Sequence, residues 1–177
     1  RLKSDHITDV ALGCYDTDCG HFVKQAFQQG LKARIWGAVT TQTEDFTKAI
    51  GSNYKDLVDD GKVIFASDFI PTNPNATVQK FVTQWQAKFH SVPTTDIASM
   101  YTSHLVIQAA VKSIKGKVTK ENIMPALKAA HLTGTPMGDV TFTDTGELKC
   151  PPLYIGDWVN GQPHLLKNMS AQCSGLS

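Results

Sequence analysis

Residues 13–36 read GCYDTDCGHFVKQAFQQGLKARIW. This stretch holds a strand end, a polar loop, an amphipathic helix and the start of a second strand. Val10, Ala11 and Leu12 read as a buried strand, and Tyr15-Asp16-Thr17-Asp18 then turns the chain. Phe22, Val23, Ala26 and Phe27 fall on one helical stripe that Gly30 ends, and a strand restarts from Ala33 to Trp36. In open parallel sheets ligands sit beyond the carboxyl ends of the strands, so Tyr15 and Asp16 stand where a bound molecule is touched.

The same alternation fills the first 70 residues: strand near 8–13, helix near 17–29, strand 33–36, one or two helical segments between Thr43 and Asp59, and strand Lys62 to Ala66. Such a βαβαβ order implies a parallel sheet with right-handed crossovers. Phe69-Ile-Pro-Thr-Asn-Pro-Asn75 then breaks the periodicity and reads as a crossing between lobes. After it, Val78, Phe81, Val82, Trp85 and Phe89 share the face of a helix opened by Asn75 or Thr77. Thr94-Thr95-Asp96 caps a longer helix that carries Ile97, Met100, Tyr101, Leu105, Val106 and Ala109. Thr119 opens a third, to about Ala130, in which Pro125 either makes a kink or marks the first turn. From Met137 onward the texture is of short strands: Val140 to Thr143, Leu153 to Val159, and a strand through Leu165-Leu166. The Asn160-Gly161 pair between the last two is a strong hairpin signal.

With 177 residues, 41% of them apolar, and a formal charge of +1, the composition is that of a globular chain. No run of apolar residues is long enough to span a membrane. The 17 basic residues lie spread among 16 acids, which argues against nucleic acid as a partner. A start at Arg1 without a signal peptide is expected of a processed, excised or truncated product. Cys14, Cys19, Cys150 and Cys173 read as buried or paired; a metal site at Cys14-x4-Cys19-x-His21 is the alternative, and it lacks the doublets of structural zinc. Phosphate loops, nucleophile elbows and zinc-protease helices are absent from the sequence, and the six histidines are scattered, His104 on the long helix among them. Asp16 and Asp18 suit a helix start as well as a carboxylate pair. The expectation is a chain that is not an enzyme and takes no cofactor.

The order of elements resembles the type I periplasmic solute-binding proteins of the branched-chain amino acid class, which feed ABC importers. The resemblance rests on Asp9-Val-Ala-Leu-Gly-Cys-Tyr15, Phe22-Val-Lys-Gln-Ala26 and Gly30-Leu-Lys-Ala-Arg-Ile-Trp-Gly37. It continues through Asn75 to Phe89, Asp96 to Ala109, Gly138-Asp-Val-Thr-Phe-Thr-Asp-Thr-Gly146 and Leu153-Tyr-Ile-Gly-Asp-Trp158. It covers the whole chain and about half of a family member, the carboxyl-terminal half. The fold it implies is α/β, with two Rossmann-like lobes and a ligand closed between them by hinge motion. Residues 1–70 would belong to the second lobe and 71–157 to the first, with 158–177 crossing back as the tail. The implied protein is periplasmic and captures a small organic ligand for import. Its partners would be that ligand, the missing amino-terminal half and an ABC transporter permease; a ligand-sensing receptor of the same fold is the alternative.

Carried over by position, the family's closing aromatic falls on Tyr15, with Asp16 beside it. The place where amino-acid binders set an acid against the ligand ammonium falls on Val39, followed by Thr40 and Thr41. The border of the side-chain pocket falls on Asp96. An ammonium without a carboxylate partner is costly to bury, so these residues point to a small organic acid or amide, aromatic ones included, with amino acids as the alternative. An exported protein meets an oxidising compartment, and Cys150 with Cys173 and Cys14 with Cys19 are the expected bridges. Each lobe should expose apolar surface where further elements would pack, so that the fragment alone should pair or aggregate.

Overall fold

The computed structural model describes residues 2–170. The chain divides into two compact units, one running to Thr72 and resuming at Leu153–Met169, the other Asn73–Pro152. The sequence expectation carried the second segment to residue 157. The structure ends it earlier, because Tyr154–Val159 is a strand of the first unit's sheet.

In the first unit, strands β1 (Asp9–Ala11), β2 (Arg34–Gly37) and β3 (Val63–Ser67) lie side by side in parallel. Helix α1 (Asp16–Gln28) joins the first two. Helices α2 (Glu44–Ile50) and α3 (Tyr54–Val58) lie between the second and third. The helices bury Cys19, Val23, Phe46, Ile50 and Val58 against the strand face that carries Val10, Ile35, Val63 and Phe65. Gly20 lets α1 and α2 come together: a Cβ there would sit 2.5 Å from the Phe46 carbonyl oxygen.

The sheet is mixed rather than purely parallel. Later in the chain, the two strands that complete it, Tyr154–Val159 and Gln162–Asn168, are antiparallel to their neighbours, the former pairing with β3 and the latter with the former. A hairpin makes the last two strands run in opposite directions, and the first of them enters the sheet antiparallel to β3. Asn160 (φ 52°) and Gly161 (φ 73°) make the two positive-φ positions of a tight turn. That turn docks on α3: the Tyr54 hydroxyl donates to the Gly161 carbonyl (3.2 Å), and the Gly161 amide donates to Asp59 Oδ1 (3.1 Å). Trp158 fills the centre of the core, its ring centroid 6.1 Å from Phe46, 6.2 Å from Tyr54 and 6.4 Å from Phe65.

The second unit holds α4 (Ala76–Phe89), α5 (Thr95–Ser113) and α6 (Lys120–Lys128) with a hairpin of β4 (His131–Thr135) and β5 (Gly138–Thr141). In chain order the two strands already described are β6 (Tyr154–Val159) and β7 (Gln162–Asn168). Asn75 caps α4 by accepting the Thr77 amide at 2.9 Å, and Thr94 caps α5 by accepting the Ile97 amide at 3.4 Å. Pro125 sits inside α6, past its first turn, on a helix with no fully buried residue. The expected faces hold in part: Val78, Phe81 and Val82 are buried, whereas Phe89 is 48% exposed. Helix α5 spreads its apolar residues around its circumference and leaves Met100, Ile107 and Val111 exposed. Strand β4 has no counterpart in the sequence reading, because Gly134 (φ 67°) and an irregular register between Leu132 and Thr135 hide its alternation.

Candidate functional site

The carboxyl ends of β1, β2 and β3 lead into three segments of the first unit, and five of the six candidate residues lie on two of them. Cys14 follows β1 and is bridged to Cys19 in the second turn of α1, with Cα atoms 5.5 Å apart. The expected bridge is therefore formed, and neither sulfur is a thiolate available to a metal. The Cys150–Cys173 pairing lies outside the described residues.

Tyr15 sits inside the closed ring as the residue before α1, and its side chain makes no capping hydrogen bond. Its carbonyl accepts the Cys19 amide at 2.8 Å, while the phenol ring is 82% exposed. Asp16 is half-buried and accepts a hydrogen bond from the Thr43 hydroxyl at 3.0 Å. Thr43 in turn caps α2 by accepting the Phe46 amide at 3.2 Å. Asp16 thus serves as the brace between the β1 and β2 segments as well as a helix-start acid.

Past β2 the chain forms a 3-10 turn, Val39–Gln42, too short to show a period in the sequence. Val39 and Thr40 are half-buried, and the Thr40 hydroxyl lies 3.9 Å from Cys19 Sγ. Thr41, the third of the residues expected against the ligand, differs from Val39 and Thr40 in its burial. Its side chain is fully buried, its hydroxyl donates to the Ala38 carbonyl at 2.9 Å, and its carbonyl accepts the Trp158 indole at 3.1 Å. Gly37 permits this, since a Cβ there would collide with the Thr41 side chain.

Gln42, absent from the sequence-derived set, braces the turn to β3: its Nε2 donates to Ser67 Oγ (2.7 Å) and to the Phe69 carbonyl (3.2 Å). A polar residue two positions beyond Thr40, just after a parallel strand, was the available signal. Asp96 belongs to the second unit, where it lies exposed in the first turn of α5.

The first unit thus offers an exposed aromatic ring, a half-buried hydroxyl and an apolar Val39 on braced segments, with the nearby carboxylate of Asp16 already engaged by Thr43. This is equipment for holding a molecule by stacking and hydrogen bonds. A concavity of about 420 Å3 lies at the opposite, amino ends of the strands, with Phe27, Leu31, Arg34, Leu57 and Lys62 in its lining. There Lys62 is already bonded to the Asp56 carbonyl at 2.7 Å.

Residues 2–163 match the family model described as periplasmic binding protein. The leucine-, isoleucine-, valine-, threonine- and alanine-binding protein of Pseudomonas aeruginosa is 24% identical over 158 residues, 89% of this chain and 40% of that protein. A solute-binding protein of an R. palustris ABC transporter, solved with benzoate, superposes with a TM-score of 0.79 at 19% identity, over 94% of this chain and 44% of its own. A second, from Rhodopseudomonas palustris BisB5 and solved with 3,4-dihydroxybenzoic acid, gives 0.77 at 19% identity, over 100% of this chain and 49% of its own. The chain spans less than half the length of each of these proteins. It belongs to the periplasmic binding protein family, and its α/β fold is the type I fold of that family.

Proposed function

We propose, from this family membership, that the chain is the carboxyl-terminal half of an extracytoplasmic solute-binding protein that captures a small organic ligand between two lobes for import by an ABC transporter. In this reading the first unit is part of the second lobe, the second unit returns to the first lobe, and a permease receives the loaded protein. The ligand is a small organic acid or amide without an α-ammonium, aromatic acids included, lying against Tyr15, Val39 and Thr40.

The observation that carries this reading is Tyr15: a large aromatic side chain left 82% exposed on a covalently closed loop at the ligand end of a parallel sheet. One feature favours an acid over an amino acid: residues 39–42 are Val-Thr-Thr-Gln, without a carboxylate to pair with an ammonium. Asp16 and Asp96 are the carboxylates through which an amine would bind instead. The benzoate and dihydroxybenzoate complexes among similar folds support the same class. The name of the Pseudomonas aeruginosa relative keeps aliphatic amino acids as the second reading.

Calorimetry on the complete two-lobed protein with benzoate, 3,4-dihydroxybenzoate, leucine and a short amide tests it. Binding of an acid or amide in preference to leucine is expected. Micromolar leucine binding with no response to the others refutes the ligand class.

A further inference from the structure

We infer that the Cys14–Cys19 bridge is a positioning device for ligand binding, one that fixes the backbone from which the Tyr15 ring projects. The inference rests on the reading of Tyr15 as a ligand contact.

Three features of the loop point this way. The bridge spans only 5 positions, and in the chain-entropy model so short a ring constrains the unfolded chain least. A longer loop would serve global stability better. Helix α1 also begins without a side-chain cap, because Tyr15 occupies the cap position and its phenol makes no capping bond. The first turn thus lacks a side-chain acceptor for its free amides, and the covalent link from Cys14 to Cys19 is what ties it to the preceding loop. Finally, the two ends of the bridge sit in different surroundings. Cys19 is fully buried in the core beside Val23 and Phe46, and Cys14 is half-buried. One end is thus rooted in packed side chains, and the other carries the loop.

Tyr15 is the residue this arrangement immobilises. Its carbonyl is held by the Cys19 amide at 2.8 Å, its chain neighbour Cys14 is tied by the bridge, and its other neighbour Asp16 is held by Thr43 at 3.0 Å. The backbone is anchored on both sides while the ring remains in solvent. Ordering a loop at the moment of binding weakens affinity, and ordering it beforehand removes that cost. The contact between Cys19 Sγ and the Thr40 hydroxyl at 3.9 Å extends the same fixed frame to the β2 segment.

The test uses the complete protein and benzoate and leucine as probes, with affinities measured for wild type, Cys14→Ala, Tyr15→Ala and the double variant. Cys14→Ala opens the bridge and leaves the buried Cys19 side chain in place; Cys14→Ser is the second version should the first fail to fold. Opening the bridge is expected to weaken binding of whichever probe the wild type prefers by about three- to tenfold. In the Tyr15→Ala background the same change should cost nothing further, because the bridge acts through the ring. Unchanged affinity in Cys14→Ala, or an equal loss in both backgrounds, overturns the inference and leaves the functional reading standing. A Tyr15→Ala variant that binds as well as wild type sinks the reading of Tyr15 as a ligand contact and this inference with it.

Discussion

The Trp158 indole donates its Nε1 hydrogen to the Thr41 carbonyl at 3.1 Å, joining residues 117 positions apart. One end of this bond lies in strand β6 and the other in the 3-10 turn beyond β2 that carries Val39 and Thr40. The core of the first unit therefore reaches directly into the candidate site. Replacing Trp158 by Ala should cost about 3–5 kcal/mol in unfolding free energy, as expected for a large buried aromatic. Trp158→Phe keeps most of the packing and leaves the Thr41 carbonyl without its donor, so it should cost less in stability and still weaken ligand binding. Denaturant unfolding and calorimetry of the two variants separate these effects.

Tyr15→Ala should behave in the opposite way. The ring is 82% exposed, so its removal should change stability by no more than about 0.5 kcal/mol. Loss of an aromatic contact should weaken ligand binding by about tenfold. Parallel melting curves and binding isotherms check both halves; equal affinity in the variant would exclude the ring from the site.

Gly20→Ala tests the approach of α1 to α2. The added Cβ would lie 2.5 Å from the Phe46 carbonyl oxygen and 2.6 Å from Ala49 Cβ. Overpacking of this kind costs about 1–3 kcal/mol, read as a lower denaturation midpoint at unchanged slope. Because Thr43 joins the start of α2 to Asp16, affinity should fall as well.

Asp9 supplies an acid-dependent signal. Its carboxylate accepts the Trp36 indole at 2.8 Å, and this hydrogen bond, with further help from Thr8 and from the positive charge of Arg34, holds its pKa below the ordinary value. A lowered folded pKa gives a contribution that is complete above the unfolded value, near 3.9, and is lost as the pH falls through the folded one. Tryptophan fluorescence should therefore show a transition below about pH 4 that is missing in Asp9→Asn. The same transition in both proteins would assign it elsewhere.

The parts of the fold legible in the sequence were those set by local chemistry. Phe22, Val23, Ala26 and Phe27 fall at helical spacing before Gly30, and α1 runs from Asp16 to Gln28 accordingly. Asn160-Gly161 announces the β6–β7 turn in the same way, because only a few residues accept positive φ twice in succession. Long-range packing decided the rest. A four-residue 3-10 turn has no period to read, and the burial of Thr41 depends on a tryptophan near the other end of the chain. The brace from Gln42 to Ser67 likewise joins residues 25 positions apart. Tyr15 was legible as a candidate because its position follows directly from the end of a parallel strand.

The return of the chain to the first unit at Leu153 also sets an order of events during synthesis. Trp158 stands at the centre of that unit's core, yet it follows the second unit in the chain, so the ribosome delivers it after Asn73–Pro152. Strands β1 to β3 must wait with their core unfilled, and closing it means joining segments separated by the whole intervening unit, a slow step for a growing chain. The stretch Asn73–Pro152, which makes up most of the second unit, carries no such delay. Nascent chains halted before Leu153 should thus show slow hydrogen exchange in α4 and α5 while β2 and β3 still exchange freely, and early protection of β2 and β3 would contradict that order.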